Sequence, residues 1–138
     1  MSAPEGVAVG TELPPLSLRF TRADLVRYAG ASGDFNPIHW SDRAAAALGL
    51  PSVIAHGMLT MGRALRVVTD WVGDPDRVLT YRVRFAKPVP VPDDDAGAEV
   101  LVRGTVTAVS GGTATVALAA TLGETAVLSS AIVEVRVD

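Results

Sequence analysis

The apolar pattern of this chain changes period once, at Gly73-Asp74-Pro75-Asp76, and that switch limits the folds open to it. Before it, over residues 57–72, apolar side chains recur almost all round a helix and leave a narrow polar strip of Arg63, Arg66 and Asp70. A helix with so little polar surface is mostly buried. Beyond the switch Leu79, Tyr81, Val83 and Phe85 alternate with polar neighbours, the two-residue period of a strand. Three more strands are expected over residues 98–109, 113–122 and 126–137, joined by tight hairpins at Ser110-Gly111-Gly112 and Gly123-Glu124. Antiparallel strands following one long apolar helix predict an α+β domain whose antiparallel sheet wraps around that long central helix. Such a sheet covers one side of the helix well, and an open edge on a small domain favours dimerisation.

The first half of the chain carries helix punctuation. A short strand is expected over Leu16–Phe20, after a loosely held, Pro- and Gly-rich lead-in over residues 1–15. Thr21 places a hydroxyl at a helix N-cap with Asp24 at the third helical position, predicting a helix over 22–31. Ser41 repeats the logic for a helix over 42–48, stopped by Gly49 and Pro51. Residues 88–97 hold three prolines and the run Asp93-Asp94-Asp95, which reads as a solvated loop rather than an acidic site.

One domain over residues 1–138 fits this length. Apolar residues make up 49% and aromatic ones 5%, so the core is expected to be built from Val, Leu and Ala. A net charge of -3 without any cluster of Lys or Arg argues against a nucleic-acid partner. The absence of cysteine removes disulfides, thiolate nucleophiles and zinc-thiolate sites. The first ten residues lack the pattern of a signal peptide, and no window approaches a membrane span, so a cytoplasmic location is expected.

The chemistry is concentrated in Gly33-Asp34-Phe35-Asn36-Pro37-Ile38-His39. On a helix a separation of five would turn two side chains about 140° apart, so only an irregular loop brings Asp34 and His39 together. They suit a general acid/base pair holding one water, since histidine titrates near pH 6.5 and desolvation raises a carboxylate's proton affinity. The alternative is that Asp34 caps a turn while His39 satisfies a backbone carbonyl. Asn36 is expected to tie the turn, and Pro37 to fix the chain direction. At Ala55-His56-Gly57 the buried helix begins, so the Gly57 N–H, unobstructed by a side chain, could serve as an oxyanion donor. Gly57 could equally just allow a tight turn. His56 is expected to be a supporting, neutral, helix-start histidine. With two histidines lacking i, i+4 spacing and no cysteine, no metal is expected, and the absence of Gly-x-Gly-x-x-Gly and P-loop spacings removes support for nucleotide cofactors.

In these residues the chain resembles the MaoC-like, (R)-specific enoyl hydratase 2 family, whose signature is an aromatic residue followed by Ser-Gly-Asp-x-Asn-Pro-Ile-His. Here it reads Tyr28-Ala-Gly-Ala-Ser-Gly-Asp-Phe-Asn-Pro-Ile-His39, and the likeness continues through Ile54-Ala-His-Gly-Met-Leu-Thr60, Tyr81-Arg-Val-Arg-Phe85 and Pro88-Val-Pro-Val-Pro92. Val68-Thr-Asp-Trp-Val-Gly-Asp-Pro75 makes it most similar to the β, catalytic subunit of the actinobacterial type II fatty-acid-synthase (R)-3-hydroxyacyl-ACP dehydratase. The resemblance implies a hot-dog fold and a cofactor-free hydro-lyase acting on thioesters of acyl carrier protein or CoA. It implies Asp34 and His39 as catalytic residues and Gly57 as the donor to the thioester oxygen. It also implies a hot-dog dimer, either a homodimer or a heterodimer with a non-catalytic chain. The reaction so implied is reversible dehydration of (R)-3-hydroxyacyl thioesters to trans-2-enoyl thioesters, in fatty-acid or polyketide elongation. Competing readings are an (R)-specific enoyl-CoA hydratase of fatty-acid or sterol breakdown, a non-catalytic acyl-binding subunit, and a thioesterase. Arg84 is expected either to meet a phosphate of the carrier arm or to stand as an exposed strand residue with a cross-strand partner.

Overall fold

The computed structural model describes residues 4–138. Strand β1 (Leu16–Phe20) leads into helix α1 (Arg22–Ser32), then a 3-10 turn at Pro37–His39 and the short helix α2 (Asp42–Ala47). Helices α3 (Gly57–Ala64) and α4 (Arg66–Val72) follow, and a second 3-10 turn at Pro75–Arg77 opens the sheet. The remaining strands are β2 (Val78–Phe85), β3 (Ala98–Ser110), β4 (Thr113–Leu122), β5 (Thr125–Ala126) and β6 (Leu128–Arg136). All pairings are antiparallel, in the order β1-β3-β4-β6-β2, with β5 paired to β4. The sheet wraps the α3–α4 helix in the hot-dog arrangement, and Leu18, Val100, Val102, Val116 and Val133 from its inner face meet Ala64, Val67, Val68 and Val72 in one core. Each such fully buried aliphatic side chain contributes about 1.5–3 kcal/mol. Phe20, fully buried, is the large exception to a core of Val, Leu and Ala, with the Arg63 guanidinium 4.4 Å above its ring.

The local signals act as expected. Thr21 and Asp24 form a reciprocal capping box, and Ser41 accepts from the Ala44 N–H. Gly111 and Gly112 take φ of 57° and 79°, the left-handed pair that a two-residue hairpin needs. Four expectations are corrected. The central helix is not continuous: it breaks at Leu65, where the N–H groups of Val68 and Thr69 both turn to the Leu65 carbonyl. Gly62 weakens the turn before the break, while Leu65 keeps right-handed helical dihedrals, so the apolar period runs through it unchanged. The strand expected over 126–137 is interrupted at Val127 and bulges at Ser130, the non-glycine with positive φ among the described residues (47°). Residues 1–3 of the lead-in lie outside the described residues, and over 4–15 it is held, not loose: Leu13 is 3% exposed and its N–H donates to Gly104, whose missing side chain makes room for it. The proline-rich segment is only partly solvated. Val89 and Val91 are buried and bond to Ala55 and Val53, whereas Asp93, Asp94 and Asp95 are exposed.

Strand β2 forms one edge of the sheet. Its face is split by register shifts, so Tyr81 turns inward and donates to the Met61 carbonyl at 2.7 Å, while Leu79 and Phe85 remain more than half exposed. Burial pushes the Tyr81 phenol up to about 12, which keeps it a neutral donor.

Candidate active site

The signature loop is built by short backbone bonds. Gly33 ends α1 in the left-handed region (φ 76°) and donates to the Ala29 carbonyl, a conformation a side chain would strain. The Ser32 hydroxyl donates to the Tyr28 carbonyl at 2.7 Å and accepts from the Asp34 N–H at 3.1 Å, which fixes where Asp34 leaves the helix. Asn36 caps the 3-10 turn by accepting from the Ile38 N–H at 3.2 Å, with Pro37 in the first position. Ile54 then clamps the loop twice: its N–H donates to the Ile38 carbonyl, and its own carbonyl accepts from His39 Nδ1 at 2.7 Å.

Asp34 and His39 therefore meet. His39 is 7% exposed, and its Nε2 lies 3.8 Å from Asp34 Oδ2. Both readings of the pair hold, on different atoms. Asp34 Oδ1 accepts from the Asn36 N–H at 3.2 Å, as a turn cap does, and leaves Oδ2 toward the histidine. His39 satisfies a carbonyl through Nδ1–H, and in the neutral ring that leaves the Nε2 lone pair free. The apolar surroundings expected for Asp34 belong to His39 instead, since the Asp34 side chain is 51% exposed.

His39 and Gly57 line one cavity of about 300 Å³, walled by Ile54, Val89, Val127 and Leu128 and bordered by Thr60, Phe85 and Lys87. Gly57 opens α3, so its N–H belongs to the first turn, whose donors have no acceptor within the helix. The space that a side chain at Gly57 would fill is taken by the Phe85 ring, 3.2 Å from an added Cβ. Arg84 lies outside this cavity, in a separate cleft with Arg82, Ser130 and Ile132. Lys87 is the cation the structure brings to the cavity, and sequence spacing gave no sign of it.

His56 joins the site more closely than expected. It is 1% exposed, stacks on His39 with centroids 3.8 Å apart, and takes the Tyr28 ring edge-on at 4.7 Å. Burial, helped by the neighbouring His39, lowers its pKa below the ordinary histidine range against the opposing pull of Asp34. Desolvation is thus the main cause. The three groups Asp34, His39 and His56 offer ligand atoms within 4.8 Å of one another, despite sequence spacing unlike that of common metal sites. Two imidazoles stacked 21° from parallel direct their in-plane lone pairs side by side, and such planes meet only far from either ring. This donor set does not suit a shared cation.

A hot-dog sheet around a helix, with an Asp–His pair whose histidine shares an apolar cavity with a helix-start N–H, is an arrangement capable of acid/base chemistry on a bound acyl group. Residues 6–122 match the family described as MaoC like domain, and the chain belongs to that family. Over 83 residues it is 47% identical to 3-hydroxyacyl-thioester dehydratase X of Mycobacterium tuberculosis, a match covering 59% of this chain and 29% of that protein. A solved MaoC-like dehydratase superposes with a TM-score of 0.94 at 39% identity, over 99% of this chain and 43% of that one. A chain from the ChsH1-ChsH2 complex of Mycobacterium tuberculosis gives a TM-score of 0.81 at 28% identity, covering 95% and 98%. The chain thus spans less than half the length of the first two relatives. Among the described residues no helix is long and apolar enough to cross a membrane.

Proposed function

We propose that this chain is the catalytic unit of a reversible (R)-3-hydroxyacyl-thioester dehydratase. The observation that carries the reading is that a free imidazole nitrogen, backed by a carboxylate 3.8 Å away, shares an apolar cavity with a helix-start N–H. The thioester oxygen accepts from the Gly57 N–H, which stabilises the enolate-like charge formed when the Cα–H bond breaks. One such donor is worth about 3 kcal/mol to a transition state. Asp34 and His39 together take the Cα proton and return a proton to the C3 hydroxyl, so the C3–O bond breaks, water leaves from the same face as the proton, and the Cα–H electrons form the double bond. Hydration runs the same steps backward. Lys87, at the cavity, is the cation we assign to an anionic group of the carrier arm, be it acyl carrier protein or CoA. A second hot-dog unit, a copy of this chain or a related one, pairs along the exposed β2 edge, in keeping with the ChsH1-ChsH2 complex that contains a structural neighbour.

A crotonyl thioester tests the reaction class. Hydration consumes the enoyl absorbance and keeps the thioester; hydrolysis releases thiol, and an acyl-binding subunit does neither. Loss of absorbance without thiol is expected, and thiol release or an inert mixture would reject the dehydratase reading.

A further inference from the structure

The chain has two histidines, and the structure stacks one on the other. The lower ring, His56, touches each part of the site. Its Nε2 lies 3.2 Å from the Asp34 backbone oxygen, its face lies against His39, and its own carbonyl accepts the first bonds of α3, next to Gly57. Carbonyl oxygens only accept, so the proton sits on Nε2 of His56 and on Nδ1 of His39. In their neutral forms the two stacked rings hold opposite tautomers. The remaining nitrogen of His56, Nδ1, is buried and has no partner among the described residues, so it has no group to exchange a proton with. The ionisable groups facing the ring are Asp34 from the loop, His39 from the 3-10 turn and Tyr28 from α1.

We propose that His56 is a positioning residue: it holds Asp34 through the backbone and His39 through its face, and sets their separation without itself transferring a proton. Anchoring the Asp34 carbonyl fixes the Cα from which its carboxylate reaches toward His39. The stack fixes the plane of His39, and Ile54 fixes that ring's rotation within the plane. The assignment to a reaction rests on the dehydratase reading, whereas the tautomers do not.

Histidine labelled with ¹⁵N gives two ring systems, which His56→Phe distinguishes by removing one. At neutral pH the expected spectrum of the parent protein shows His39 protonated at Nδ1 and His56 at Nε2. The same tautomer on both rings, or a proton on His56 Nδ1, would overturn the proposal. Two variants then separate the contacts, His56→Phe keeping a flat face without a donor and His56→Gln keeping a donor without the ring. A displacement of about 1 Å at the reacting groups costs on the order of 100-fold in rate, so kcat is expected to fall to that extent while KM changes less than about threefold. A folded variant with parental kcat would refute the positioning role. A parent without turnover would sink the dehydratase reading instead, and the spectrum would still decide where His56 holds its proton.

Discussion

At the scale of single residues, the site works by dividing each side chain between a structural and a chemical atom. Asp34 spends Oδ1 on the Asn36 N–H and His39 spends Nδ1 on Ile54, and the opposite atoms of both face each other. His56 differs, since one ring nitrogen holds the Asp34 carbonyl and the other has no partner among the described residues, and its burial has a measurable consequence for stability. Its pKa is lowered by burial in the folded protein. In the unfolded chain the ring binds a proton near pH 6.5, so below that pH the unfolded state carries more protons and stability falls as pH falls. The melting temperature should therefore drop between about pH 7.5 and pH 5.5, and His56→Phe, with no proton to bind, should flatten that drop. Equal pH dependence in parent and variant would contradict the assignment. The motif was legible because its Gly and Pro rule out a helix. The stack was not, since His39 and His56 lie seventeen positions apart and are brought together by the Ile54 clamp and the His56–Asp34 bond.

Among the elements, what could be read in advance was whatever rests on local chemistry. Thr21, Ser41 and the Gly111-Gly112 turn declare themselves by side-chain acceptors for helix-start N–H groups or by left-handed backbone, and the structure uses each as expected. The features that could not be read depend on distant partners. Leu13 is buried because Gly104 leaves room for it, and Val89 and Val91 because residues 53–55 offer them backbone bonds. Gly97 shows how tight one such junction is. It sits at φ +65°, and a side chain there would lie 2.1 Å from the Phe20 carbonyl oxygen, where the loop meets the start of β3. Gly97→Ala combines left-handed strain of about 1–2 kcal/mol with a backbone clash, so a loss of more than about 2 kcal/mol is expected in denaturant unfolding. A variant as stable as the parent would show that this junction relaxes freely. The break at Leu65 had no signal in the pattern, because it leaves the apolar period almost intact, whereas at Ser130 the buried positions step from Leu128 to Ala131 before the two-residue alternation resumes.

The whole molecule is a hot-dog unit whose β2 edge is open and carries exposed Leu79 and Phe85. Light scattering should give a mass above 14.3 kDa, either for the chain alone or once a related hot-dog chain is added. Leu79→Arg, which places a charge on that edge, should return it toward 14.3 kDa. A parent that stays monomeric under both conditions would remove the paired assembly. Narrower than the assembly is the proposal that Asp34 and His39 act together on an acyl thioester. It is tested most directly by crotonyl-thioester hydration in the parent, Asp34→Asn and His39→Ala, each checked for an unchanged melting transition. Acid/base groups contribute about 100- to 10,000-fold, so kcat/KM should fall by at least the lower figure in both variants. Near-parental turnover in either folded variant would rule out a joint role of Asp34 and His39.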